Sequence, residues 1–119
     1  MGWILGRVPG SRWEWYTAVA LVRYGWTFGY QISFFGGTRI AGGQRLDFMV
    51  YTLPLPTPLY VYGPHWHERK RMDRDNLQRQ MLYNRLRGSI RRPVVFDEKH
   101  VSSQEVAFQS VFRTFGRAS

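Results

Sequence analysis

Six side chains have the types and spacing to do chemistry together: Glu14, Asp47, His65, His67, Asp73 and Asp75. Carboxylates and imidazoles hold divalent cations, and an imidazole also moves protons near neutral pH. Metal-assisted hydrolysis of a phosphodiester needs such ligands on rigid elements, ringed by positive charge. The run from Gly42 to Asp75, GGQRLDFMVYTLPLPTPLYVYGPHWHERKRMDRD, supplies an acid, two histidines and a basic segment in that order.

Each of these residues also has a plainer reading. Asp47 stands between Leu46 and Phe48, where an unpaired carboxylate is costly. A metal relieves that cost; so does an ion pair with Arg45 or Arg39, or exposure on an open sheet face. His65 and His67 are two apart and point the same way on an extended segment, or one stacks on Trp66 or bonds to backbone. Asp73 and Asp75 open a basic helix, where acids also favour the helix dipole. Asp75 precedes Leu82 by seven residues and shares its side of the helix, whereas Asp73 faces solvent. Glu14 completes an S-x-x-E capping box with Ser11, or projects towards Asp47.

The elements that must position them follow from the apolar pattern. Residues 1–10, with Gly2, Gly6, Pro9 and Gly10, read as a loose N-terminal arm, and residues 11–119 as a single domain. The capping box predicts a helix from Arg12 to Tyr24, stopped by Gly25. Trp13, Tyr16, Ala20 and Tyr24 form its stripe, widened by Ala18, Leu21 and Val22. WTFGYQISFF, residues 26–35, is aromatic and β-branched and predicts a strand. The glycine pairs of GGTRIAGGQR fit turns but not a P-loop, since no Gly-Lys-Ser/Thr follows.

A second strand is expected from Gln44 to Tyr51. Leu46, Phe48 and Val50 lie on one face; Arg45, Asp47, Met49 and Tyr51 lie on the other. Prolines make Leu53 to Pro58 a turn. Leu59 to Tyr62 is a strand, with Leu59 and Val61 opposed to Tyr60 and Tyr62. A helix follows within His67 to Arg87, its apolar side made of Leu77, Met81, Leu82 and Leu86. Pro93 to Phe96 is a short strand. Ser102-x-x-Glu105 reads as a second capping box, opening a last helix through Phe112 with Val106, Phe108, Val111 and Phe112 as contacts. The order of helix, three strands, helix, strand and helix predicts an α/β domain with a mixed sheet.

The bulk numbers set bounds. With 119 residues the chain is one domain's worth and can bury a core without staples. It has no cysteine, which excludes disulfides and thiolate zinc sites. Its formal charge is +9, and every basic residue except Lys70 and Lys99 is arginine. Arginine's planar fork suits phosphate, so a polyanion, nucleic acid first, is the expected partner. No targeting segment is evident. No apolar run approaches the ~20 residues of a membrane span, and position 6 lacks the Ser or Thr of a myristoylation motif. These features fit a cytoplasmic or virion-associated protein without membrane attachment or a secretory signal.

The strings GGQRLDF, LYVYGPHWH and RDNLQRQML, in this order, resemble the very-short-patch repair endonuclease branch of the PD-(D/E)XK nucleases. They resemble still more the EDxHD homing endonucleases and related phage proteins. The likeness spans roughly residues 11 to 112. It implies a restriction-endonuclease-like three-layer core with a mixed central sheet flanked by helices, and a DNA endonuclease using Mg²⁺ or Mn²⁺. Carried over by position, Glu14 is the first-helix acid, Asp47 the strand aspartate, His67 the histidine of Trp-His and Asp75 the helix aspartate. Asp47 and His67 serve the metal site, and His67 acts as general base or orients the attacking water. Arg45, Arg69, Arg71, Arg74 and Arg79 are the candidates to hold DNA. The sequence departs from the common pattern in one place: LYVYG carries neither the acid nor the lysine of that strand, and Tyr62 stands where relatives have Gln or Glu. A nuclease-like fold that binds nucleic acid, or docks among phage or other assembly proteins, is the rival expectation.

Overall fold

A computed structural model describes residues 2–34, 44–63 and 69–119; the side chains of Phe34, Gln44, Arg45 and residues 69–75 are not described. Helix α1 (Arg12–Arg23) leads into strands β1 (Phe28–Phe34), β2 (Gln44–Val50) and β3 (Thr57–Val61). Helix α2 (Arg69–Arg85), strand β4 (Val94–Phe96), a short α3 (Glu98–Val101) and α4 (Gln104–Phe115) complete the chain. The sheet runs β1-β2-β3-β4, with both β1–β2 and β2–β3 antiparallel and β3–β4 parallel. The domain is therefore α/β with a mixed four-stranded sheet, as expected. No helix among the described residues is long and apolar enough to cross a membrane.

Two apolar layers sandwich the sheet. On one face Ala18, Leu21, Val101, Ala107 and Val111 from α1, α3 and α4 meet Phe28, Phe48, Val50, Leu59 and Phe96. On the other, Leu82 of α2 and Ile90 meet Leu46, Met49 and Tyr60, with Ile32, Tyr83 and Leu86 alongside. Leu59 and Val61 face opposite to Tyr60 and Tyr62, as their alternation predicts.

Strict alternation fails along β2. Phe48 and Val50 pack on the α1 side, but Leu46 packs with Met49 on the α2 side. β1 changes face at the same level: Tyr30 lies with α1 and Ile32 with α2. The break coincides with Gln31, whose φ of 52° is left-handed, and the paired register passes over Gln31 and Asp47. A left-handed residue interrupts the pleat on which period-two reasoning rests.

Other expectations need correction. Leu77 and Met81 are 59% and 41% exposed. Leu82, Tyr83 and Leu86 face the sheet instead, and one turn earlier Arg79 lays its guanidinium 5.8 and 5.6 Å from the ring centres of Tyr60 and Tyr62. An arginine that snorkels over tyrosines covers apolar surface that Leu77 was expected to cover. Val22 is exposed, while Glu14 and Thr17 take buried places on α1.

The second capping box does not form. Ser103, not Ser102, caps α4 and accepts from the Val106 amide, which puts Glu105 at the wrong position to reach back. Ala107, Ser110 and Val111 are the buried residues of α4, and Phe112 is exposed beside Tyr24. Pro58 belongs to β3, opposite Met49, one residue before pairing with β4 begins at Leu59. At that point its missing N–H costs no ladder bond to β4.

In the N-terminal segment, Ile4 is 2% exposed and joins the core. It exchanges two backbone hydrogen bonds with Arg7 across a turn at Leu5 and Gly6, whose φ angles are positive. Residues 35–43, with their glycine pairs, lie outside the described residues.

Candidate functional site around Asp47 and Glu14

Glu14 sits in the first turn of α1 because Ser11 caps it: the Ser11 hydroxyl accepts from the Glu14 amide at 3.2 Å. Only that half of the capping box is present. The Glu14 carboxylate turns inward, is 9% exposed, and takes two hydroxyl hydrogen bonds. Ser11 donates to Oε2 at 3.0 Å, and Tyr30 of β1 donates to Oε1 at 2.8 Å.

Tyr30 is the hub of this side. Its hydroxyl also accepts from the Gly10 amide at 2.9 Å and from the Gln31 amide nitrogen at 3.2 Å. Gly10 packs close to this carboxylate: a Cβ there would fall 2.6 Å from Oε2 of Glu14 and the side chain would have to shift. Burial pushes the Tyr30 phenol up to about 12; the Gly10 amide opposes this, and the negative charges of Glu14 and Asp47 add to it. The two carboxylates thus act on one phenol from different elements.

Asp47 occupies the level where the pleat of β1 breaks. Its Oδ2 accepts from the Val61 amide at 2.8 Å, across from β2 to the end of β3. The β2–β3 pairs cover Val50 to Phe48, and the aspartate side chain takes over the next strand amide.

Beyond it stand Tyr60 and Tyr62, stacked with centroids 6.1 Å apart. Arg79 Nη1 donates to the Tyr62 hydroxyl at 3.0 Å. The buried Tyr60 hydroxyl has no hydrogen-bond partner among the described residues. Burial raises its pKa to about 12, Arg79 opposes the rise and Asp47 reinforces it. The charge of Asp47 thus reaches two phenols, Tyr30 on the α1 face of the sheet and Tyr60 on the α2 face. Gly63, just after β3, closes the site against α1: a Cβ there would meet Trp13 Nε1 at 2.8 Å.

Of the residues singled out from sequence as site candidates, Glu14 bonds to Tyr30 on the α1 face, Asp47 to the Val61 amide, and Arg79 to Tyr62 on the α2 face. His65 and His67 lie outside the described residues, as do the side chains of Asp73, Asp75, Arg45, Arg69, Arg71 and Arg74. Arg39, offered as an ion-pair partner of Asp47, also lies outside them. Among the described residues no group of three or more His, Asp or Glu gathers as a metal site. Sequence reasoning missed Tyr30 and Tyr60. Their only signal was a place on strands neighbouring Asp47, shared with several other aromatics. The third histidine, His100, forms a capping box with Asp97 at the start of α3.

The raised phenols make a testable pattern. Both retain their protons as pH passes 10, where an unfolded tyrosine loses its own. Their contribution to stability is complete below pH ~10 and disappears as pH rises towards about 12. A near-ultraviolet phenolate titration is expected to show at least two late tyrosines in the wild type and one fewer in Tyr30→Phe. Ordinary titration of every tyrosine in the folded protein would rule out this packing.

Comparison with known proteins finds no matching family model, no matching curated protein and no matching solved structure.

Proposed function

We propose that this chain is a metal-dependent DNA endonuclease with a PD-(D/E)XK-like core. The observation that carries the reading is a pair of carboxylates on adjoining elements of the fold: Glu14 on α1, bonded to Tyr30 of β1, and Asp47 on the neighbouring strand β2, bonded to the Val61 amide. A mixed sheet covered by helices on both faces agrees with the architecture that the sequence resemblance implies.

Asp47 and Glu14 offer carboxylate oxygens from rigid elements, the donors that Mg²⁺ or Mn²⁺ takes. An ion held there would polarise a phosphate and acidify water. His67 and Asp75 complete the set in this reading. His67 takes a proton from the attacking water or orients it, and Arg79 places positive charge beside the reacting phosphate.

A second reading has its own support. Both oxygens of Glu14 and Oδ2 of Asp47 already serve internal hydrogen bonds, and the strand LYVYG has neither the acid nor the lysine of the family pattern, with Tyr62 where relatives have Gln or Glu. The same fold would then bind DNA, or seat in an assembly such as a phage particle, without cutting.

Supercoiled plasmid with Mg²⁺ or Mn²⁺ distinguishes the two. The endonuclease reading expects nicking that EDTA stops and His67→Ala removes. Wild-type protein that binds DNA but leaves plasmid and single strands intact with either metal would favour the second reading.

A further inference from the structure

Away from Asp47, α2 and β4 enclose a groove of about 450 Å³. One wall is a helical stripe, Asn76, Arg79, Gln80 and Asn84, continued past the end of α2 by Arg87; the other includes Arg92 beside β4. β4 is the last strand of the sheet, so the groove follows a sheet edge.

Its chemistry is one-sided. Between Asn76 and Phe96 the chain has five arginines and no Asp or Glu. The ion pair of the described residues nearest in sequence, Asp97–His100, involves neither Arg87 nor Arg92. Both are exposed, and the Arg92 guanidinium lies over the Tyr83 ring, 5.5 Å from its centre. Arg91 points elsewhere, to the Leu55 carbonyl. Guanidinium groups interleaved with side-chain amides, with no carboxylate among the described residues that line the groove, fit phosphate oxygens. The groove also joins the candidate site, because Arg79 lines it and bonds to Tyr62 at the end of β3.

We infer that the α2–β4 groove is a binding track for the phosphodiester backbone of DNA, gripping the strand where it leaves the Asp47 region. This deepens the endonuclease reading and rests on it for the identity of the ligand, but it concerns binding, which needs no cleavage.

The test is fluorescence anisotropy in EDTA over a salt series, with a short labelled DNA duplex and its single strand. The variants are Arg87→Glu/Arg92→Glu, its milder form Arg87→Gln/Arg92→Gln, and, as an equal change of charge elsewhere, the α4 reversal Arg113→Glu/Arg117→Glu, in the last turn of α4 and just past its end. The groove reversal is expected to weaken binding about tenfold or more, and to make the salt slope shallower by about two on duplex, with the Gln pair intermediate. The α4 reversal is expected to cost less than about threefold by lowering net charge alone. The probe with the larger loss identifies the form of DNA that the groove holds.

Equal losses from groove and α4 reversals, or none from either, would overturn the proposal. So would a wild type that binds a poly-glutamate peptide but neither DNA. If the groove variants lose DNA while wild-type protein nicks nothing, the track stands and the catalytic reading falls.

Discussion

Asp47→Asn is expected to lower plasmid nicking by at least about 10²-fold, the scale lost when one charge-stabilising group is removed from a reacting centre. Asp47→Ala should do the same to activity but more to stability. In the wild type Oδ2 accepts the Val61 amide at 2.8 Å. The alanine orphans that N–H at the end of β3, a cost of about 1–3 kcal/mol, whereas the asparagine oxygen still accepts it. The two variants thus separate the structural use of Asp47 from its chemical use. A metal readout independent of cleavage comes from melting. An ion bound by the folded state raises the wild-type midpoint, and Asp47→Asn is expected to abolish that rise. Full nicking by the asparagine variant would remove Asp47 from the chemistry and leave its bond to Val61 as its role.

The large pieces of this fold were legible because each rests on a local rule. Ser11 caps α1 through the Glu14 amide, Gly25 ends it with a φ of 81°, and β3 alternates Leu59 and Val61 against Tyr60. The misses share a cause: a non-local partner decided them. Nothing near Gln31 in sequence announces its left-handed backbone, yet that residue marks the level at which Leu46 departs from the face of Phe48. Leu77 looked like core by period, but the tyrosines of β3 gave the place to Arg79. Ser102 and Ser103 are equivalent as hydroxyls; the choice between them follows from α3, whose end Ser102 occupies. The candidate site was legible to the extent that Glu14 and Asp47 stood out as acids among apolar neighbours. Tyr30, which bonds to Glu14, did not, because an aromatic on a strand in so aromatic a chain carries no mark of its hydrogen bonds.

Phe48→Ala is expected to cost about 3–5 kcal/mol, the usual loss for a fully buried aromatic, and to do so on the element that supports the site. Phe48 is completely buried, 5.6 Å from Phe28 and 5.0 Å from Tyr30 between ring centres. A domain of this size holds about 5–15 kcal/mol in all, so the variant should remain folded but close to its limit. The denaturant midpoint should fall sharply with an unchanged slope if only native packing is lost. Phe48→Leu, which keeps most of the volume, should cost far less. The consequence for Tyr30 is more specific. The ring of Phe48 is part of what keeps solvent from the phenol, and burial is the main reason that phenol stays protonated to about pH 12. In Phe48→Ala one late tyrosine should therefore titrate nearer its ordinary value while Tyr60, on the far face of the sheet, stays late. Loss of both late tyrosines together would mean that the two faces loosen as one unit. An unchanged titration would mean that Gly10, Gln31 and Glu14 hold the Tyr30 hydroxyl without help from the core.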